Sequence, residues 1–297
     1  VWLFLSECCL LWPRNNATQR TLKRAEGTCN TENTDLSVLK SFSALSVAGK
    51  KFMRLYGKNP ILERIKTAPE TIQRLYLQKR TDLSAIVREA ADRGLVFESV
   101  DKAWLIRECG KVHTQGVMAE VEEFKYTPFS EILSACLDGK EVPIFLDGVT
   151  DPQNLGAVIR NIACLGGFSI VISEHGSVHV NETVLRVANG GENHIRIAHV
   201  PNISEKIRKA KKEGIWIIGA VAGDANDISG TDLNFPLAVV VGAEGGGIRP
   251  GLQKQLDSSA SLAMRGASLS YNVAVAATLF CYEINRHREH GAGVERK

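Results

Sequence analysis

The sequence is poor in the features that carry redox, metal or membrane chemistry. Its seven cysteines, Cys8, Cys9, Cys29, Cys109, Cys136, Cys164 and Cys281, are odd in number, scattered and never spaced Cys-x-x-Cys. Neither a disulfide scaffold nor a thiolate zinc site is expected, and the thiols read as small apolar residues in a reducing, cytoplasmic setting. His175 and His179 share helical spacing, but Gly176 between them favours a loop, so no metal ligand is assigned. The apolar run VWLFLSECCLLW at residues 1–12 is too short to span a bilayer and has no basic segment before it, so neither a membrane span nor a signal peptide is expected. No G-x-G-x-x-G follows the first buried strand and no G-x-x-x-x-G-K-[ST] occurs, which argues against nicotinamide and nucleoside triphosphates. Net charge is also small: 36 Lys and Arg against 33 Asp and Glu leave +3, too little alone to demand or forbid a nucleic acid partner.

What is present fits a soluble chain long enough for two domains, with 44% hydrophobic residues. Residues 1–50 are polar and without period after the opening run and read as a disordered extension, with ordered protein beginning near Lys51. Residues 51–124 read as a small α/β domain. NPILERIKTA and LSAIVREAADRG are amphipathic helices, the second closed by Gly94, and KAWLIREC is a shorter one. IQRLYLQ, LVFESV and QGVMAEVEEF read as strands. Over residues 54–111 there are 12 Lys or Arg against 8 Asp or Glu, a basic excess compatible with an RNA-facing surface or a merely solvated one.

KYTPFSEILSACLDGKEV reads as a linker, 125–141, passing into a short helix. Beyond it the character changes. VPIFLDGV, FSIVIS, HIRIAHV, GIWIIGAVA and PLAVVVGAEG are strands, several continuously apolar, separated by helical segments such as NLGAVIRNIACLG and ISEKIRKAKKEG. That alternation predicts a largely parallel sheet covered on both faces over residues 142–290, with a short tail at 291–297. The basic run Lys206, Arg208, Lys209, Lys211 and Lys212 reads as a solvated helix face.

Ligands of such sheets gather in the loops after the strand C-termini, where the three most unusual loops of the chain fall. In LDGVTDPQNLGAVIRNIACLG a helix is expected to start near Asn154, which puts Arg160 on its second turn. In VVVGAEGGGIRPG the glycines let backbone N–H groups approach a ligand, with Glu244 as the charge beside them. In LAMRGASLSYNVAVAATLFCYE a Gly/Ser loop precedes an apolar helix that Ser270 and Asn272 are placed to cap.

In order and wording these loops resemble the three motifs of the SpoU (TrmH-like) family of SPOUT methyltransferases, over roughly Val142 to Arg286. RLYGKNPILERI and HTQGVMAEV are similar to the small L30-like substrate domain of the branch that methylates 23S ribosomal RNA guanosines at the ribose 2'-oxygen. The resemblance implies an α/β fold whose C-terminal parallel-sheet domain carries a deep trefoil knot, an exception to the rule against threaded chains. It implies S-adenosylmethionine as cofactor, RNA (23S rRNA) as substrate, a homodimer completed by the knot region, and neither metal nor membrane. Gly242, Leu262, Met264, Leu269 and Tyr271 would then hold the cofactor, and Asn154, Arg160, Glu244, Ser270 and Asn272 would be the catalytic set. Val273, Val275, Ala276, Leu279 and Phe280 would supply the apolar dimer face.

The chain departs from the family pattern at three places. Tyr271 stands where a leucine is usual, Ala274 where a serine is usual, and Ala263 where a proline is usual, which implies a looser loop. The family's proposed base corresponds to Arg160, yet a guanidinium has no acceptor, so a clamp on the adjacent phosphate is the competing role. A transfer RNA target, or a non-catalytic RNA-binding protein of the same fold, are the alternatives to the ribosomal enzyme.

Overall fold

Strand pairing and alternate burial organise the N-terminal part. The computed structural model describes residues 52–223, 225–267 and 269–294; the extension expected over 1–50 lies outside the described residues. Strands β1 (Phe52–Tyr56), β2 (Ile72–Gln78), β3 (Glu98–Val100) and β4 (Val117–Glu122) form a mixed sheet in the order β1-β4-β2-β3. β4 is antiparallel to β1 and β2, and β3 runs parallel to β2. Leu55, Leu75, Leu77, Val117 and Ala119 face α1 (Lys58–Thr67) and α2 (Ser84–Asp92), which bury Ile61, Ile65, Ile86 and Ala90. The alternate residues Tyr56, Tyr76 and Met118 pack on the other side against Leu105 and Cys109 of α3 (Lys102–Cys109). Only the end of LVFESV is strand. Gly94, at φ +68°, turns the chain out of α2, and the Leu95 amide bonds back to Ala90 before pairing begins.

The second sheet is parallel throughout, in the order β10-β8-β9-β5-β6-β7. Its strands are β5 (Val142–Asp147), β6 (Phe168–Ser173), β7 (Arg196–Val200), β8 (Trp216–Ala220), β9 (Leu237–Gly242) and β10 (Ser258–Ala260). β5, β6 and β9 are buried along their whole length, as a sheet covered on both faces requires. Phe145, Val171, Ala198 and Val240 pack against α4 (Phe129–Leu137) and α7 (Ile203–Lys212). Ile144, Ile170 and Val239 pack against α5 (Pro152–Leu165), α6 (Glu182–Ala188) and α9 (Val273–Val294), while the short α8 (Pro250–Gln253) buries Leu252 on the opposite face. The segment expected as a linker therefore contributes a structural helix, because Ile132, Leu133 and Cys136 of α4 are core residues. On α7, Lys211 pairs with Asp257 and Lys206 with Glu205, while Arg208, Lys209 and Lys212 are exposed.

The parts meet through α1 and β1. Arg64 donates to Glu192 at 3.0 Å with both side chains buried, His194 lies 2.8 Å from Glu63, and the Arg54 amide donates to Glu182.

Candidate active site

Because the six strands are parallel, their C-terminal ends lie on one side, and the three loops singled out in the sequence leave from there. Asp151 accepts from the Gln153 amide at 2.9 Å and Pro152 occupies the first turn, so α5 starts two residues before Asn154. Arg160 consequently falls on the third turn and not the second. It is exposed and makes no ion pair among the described residues.

The second loop folds back on itself. Ala243 and Gly247 exchange backbone hydrogen bonds of 3.2 and 3.0 Å, and a Cβ on Gly242 would lie 2.1 Å from the Gly247 carbonyl carbon. A side chain at 242 would force the returning backbone to shift, and Glu244 is carried at the exposed tip. Below the loop, the buried carboxylate of Asp147 accepts from Arg249 twice, from Nε at 2.7 Å and from the backbone amide at 2.9 Å. That pair was not identified from sequence. An acid ending a fully apolar strand was the available signal.

Asn272 joins all three loops. Its Nδ2 donates to Asn154 Oδ1 at 2.8 Å and to Glu244 Oε1 at 2.5 Å, while its Oδ1 caps α9 by accepting from the Ala274 amide at 2.9 Å. Every hydrogen-bonding direction of the amide group is thereby committed except one acceptor lone pair. Ser270 shares none of this capping, contrary to the expectation that both residues cap the helix.

Beside this junction lies a cavity of about 240 Å³, lined by Gly242, Glu244, Leu262, Met264, Ser270 and Tyr271 and floored by apolar residues such as Val221 and Phe280. Leu269 is not among the lining residues and is 73% exposed. Among the described residues, the amides of Met264, Ser270 and Tyr271 have no hydrogen-bond acceptor, so the cavity offers backbone donors over an apolar floor. Asp227, also missed in the sequence, fixes the lip: it accepts from the Ala263 amide at 2.8 Å and from the Ser229 amide at 2.9 Å. The Ser229 hydroxyl, which also donates to it, together with the Ser229 and Ala263 amides holds its carboxyl below the usual range. The alanine at 263 thus makes a tether that a proline could not make.

Arg160 is backed from outside these loops. A Cβ on Gly191 would meet the Arg160 Cα at 3.0 Å, so the turn Gly190–Asn193 rests directly on α5 at that residue. Glu192 of the same turn is the buried partner of Arg64. Burial pushes the Glu192 carboxyl up, against the opposing pull of Arg64.

His175 and His179 lie in a loop, and His179 packs edge-on against His199. Among the described residues no group of three His, Cys, Asp or Glu is placed to hold a metal, and no helix is long and apolar enough to cross a membrane. Cys109, Cys136 and Cys281 are buried free thiols, and Cys164 is exposed.

Comparison with known proteins matches residues 141–282 to the SpoU rRNA Methylase family and residues 54–127 to an RNA 2'-O ribose methyltransferase substrate binding domain. YacO of Bacillus subtilis (strain 168), which carries a TrmH-family tRNA/rRNA methyltransferase name, is 31% identical over 237 residues, 78% of this chain and 94% of that protein. The 23S rRNA (guanosine-2'-O-)-methyltransferase RlmB of Coxiella burnetii is 32% identical over 245 residues, 80% of this chain and 97% of that protein. Among solved structures, the SpoU methyltransferase AviRb from Streptomyces viridochromogenes in complex with AdoMet superimposes with a TM-score of 0.64 at 23% identity, covering 80% of this chain and 90% of that one. A fully parallel sheet, three loops drawn together by Asn272, and relatives matched over nearly their whole length have one common account: the chain belongs to the SpoU rRNA methylase family.

Proposed function

We propose that the protein transfers the methyl group of S-adenosylmethionine to a ribose 2'-hydroxyl of RNA, with a guanosine of 23S ribosomal RNA as the target. The observation that carries this reading is the Asn154–Asn272–Glu244 junction at the mouth of the cavity. Three loops from distant parts of the chain meet there in a polar cluster in which the Asn272 amide donates to both of the others. The names of the RlmB relatives supply the choice of guanosine and of 23S rRNA.

The cavity fits the cofactor's chemistry: free amides at Met264, Ser270 and Tyr271 suit adenine and ribose acceptors, and the floor is apolar. Gly242, Leu262, Met264 and Tyr271 are the residues proposed to hold it, with Leu269 at the outer edge of the loop. When bound, S-adenosylmethionine supplies a methyl group already activated on a sulfonium. This chain then has to hold the 2'-hydroxyl in line and manage one proton. Arg160 is assigned as the clamp on the phosphate beside that hydroxyl, because a guanidinium offers forked donors and no acceptor. It stabilises negative charge as it develops on the ribose oxygen. Ser270, on the cavity wall, is placed to orient the ribose. Proton loss goes to water, phosphate or the Glu244 carboxylate. Ala274 is buried in the first turn of α9 and brings no hydroxyl to the reaction.

In the same reading, the parallel-sheet domain carries the trefoil knot, closed where the Leu262–Tyr271 loop and α9 pass the Gly242 loop, and the N-terminal sheet is the L30-like substrate domain. The protein acts as a cytoplasmic homodimer. Val273 and Phe280, expected on the dimer face, are core residues of the subunit; the apolar side left on α9 is Val275, Leu279 and Tyr282, with Leu269 nearby in the chain. The deciding experiment incubates purified protein with radiolabelled S-adenosylmethionine and an unmodified 23S rRNA transcript, then maps 2'-O-methyl marks. Label confined to a guanosine ribose supports the reading; label on transfer RNA alone moves the target, and a protein that binds cofactor yet methylates neither is a non-catalytic homologue.

A further inference from the structure

The N-terminal sheet has a cavity of its own that the methyl-transfer site does not use. It measures about 720 Å³ and lies where the start of α1, the start of α3 and the loop before β4 converge. Lys58, Lys102 and His113 stand on its wall, with the amide side chains of Asn59, Gln78 and Gln115, an apolar stretch of Leu105, Ile106 and Val112, and no Asp or Glu. A cleft with cations, amides and an apolar shelf but no carboxylate is suited to an anionic ligand that also carries a flat, hydrogen-bonding ring.

We propose that this cleft is a nucleotide subsite, which takes one unpaired nucleotide of the RNA substrate away from the methylated ribose. The inference rests on the functional reading above and adds where part of the substrate is recognised. Single-stranded RNA is read by splayed bases that stack on side chains and hydrogen-bond along their edges, while basic side chains hold the flanking phosphates. Lys102 and His113 are exposed on the cleft and are the phosphate contacts. Ile106 is 56% exposed, an apolar surface left open at a point where a base can lie on it.

The amides supply the edge contacts. Gln115 Oε1 accepts from the Lys58 amide at 2.8 Å, and Gln78 Nε2 donates to Thr81 at 2.9 Å. Each of these side chains is thus fixed at one end and has the other end uncommitted among the described residues: an NH2 on Gln115 and a carbonyl oxygen on Gln78. Asn59 is exposed and has neither end committed. One donor, one acceptor and one free amide can match the edge of a base, where phosphate contacts alone carry no sequence information. Gln115 also holds φ +54°, an unusual conformation for a residue with a side chain, between Thr114 and a Gly116 whose Cβ would press on Thr81 at 3.0 Å. The wall is therefore built to a set shape.

The test uses the full chain, with a 23S rRNA transcript and a transfer RNA transcript as probes. Lys102→Glu is expected to weaken binding of the transcript that wild type prefers by about tenfold or more and to reduce the salt slope by about one. Asn59→Ala is expected to lower affinity several-fold with the salt slope unchanged, because it removes an edge contact and no charge. S-adenosylmethionine affinity and the melting transition should not move in either variant, since both residues are exposed and lie outside the methyl-transfer cavity. A crosslink from 4-thiouridine-substituted transcript to residues 102–116 would support the subsite directly. Wild-type RNA binding that both variants retain in full, with no crosslink to that segment, overturns the subsite and leaves the functional reading intact. Wild type that binds neither transcript refutes both.

Discussion

The two sheets of this protein use the same helix-covered architecture to different ends. In the parallel sheet every strand delivers its C-terminal loop to one side, so residues as distant as Asn154, Glu244 and Asn272 meet without any of them being local neighbours. In the mixed N-terminal sheet the antiparallel strands send their loops both ways, and its cleft is made from helix starts and one strand entry. Chemistry therefore concentrates in the first, and recognition of an extended partner suits the second. They are joined by polar contacts from β1 and α1: Arg54 and Tyr56 reach Glu182, Glu63 meets His194, and Arg64 is placed on Glu192, whose turn supports Arg160.

Breaking that connection should have the largest effect. Arg64→Met leaves the Glu192 carboxylate buried without its partner, with an expected loss of about 3–5 kcal/mol in stability, measured by denaturant unfolding. Its pH dependence has a definite sign. Glu192 already sits above the ordinary glutamate range through burial, and without Arg64 it rises further. A carboxyl whose folded pKa exceeds its unfolded one is protonated first in the folded state, so the deficit is full above the variant's raised folded pKa and shrinks as pH falls through that raised value towards the ordinary glutamate range.

Arg160→Ala tests the parallel-sheet site alone. Methyl transfer should fall about a hundredfold or more, the scale of losing one preorganised donor, with cofactor affinity unchanged by calorimetry. Arg160→Lys should keep part of the rate at neutral pH. If the Lys variant instead gains activity steeply into the alkaline range, the residue is a base and not a clamp.

Gly242→Ala sharpens the comparison from the other direction. The added methyl meets the returning Gly247 backbone, and a loss of about 1–3 kcal/mol is expected from overpacking. Cofactor binding should weaken with it, while RNA binding through the N-terminal sheet persists in a gel-shift assay. The smallest effect belongs to Lys209→Ala on the exposed face of α7: within about 0.5 kcal/mol in stability and no change in RNA affinity. A marked drop in RNA affinity there would extend the recognition surface into the parallel-sheet domain.

Much of this was legible from the sequence because its signals are local. Continuously apolar strands such as FSIVIS announce a covered parallel sheet, and the three loops carry their glycines and polar residues within a few positions of each other. The starts of elements were less legible: β1 is defined by pairing with β4, which lies far along the chain, and the short helix expected after the linker gave no sign that Ile132, Leu133 and Cys136 belong to the core. The supports of the site were hidden for the same reason. Asp147 meets Arg249 across 102 positions and Asp227 meets Ala263 across 36, distances at which a lone acid in a sequence has no visible partner. The expected division of α9's apolar residues also failed at Val273 and Phe280, since composition does not say which side of a helix faces its own subunit.

The Arg64–Glu192 pair also bears on how the protein can move. Parting the two sheets would not be a graded swing, because two ions at most 8% exposed have to be rehydrated together before either gains water. Gly190, packed against Glu63, would lose that neighbour in the same event, whereas Gly191 and Arg160 lie in the same part and stay together. The docked and parted arrangements are then discrete states, and RNA that grips the N-terminal sheet shifts their populations only by its difference in affinity for the two.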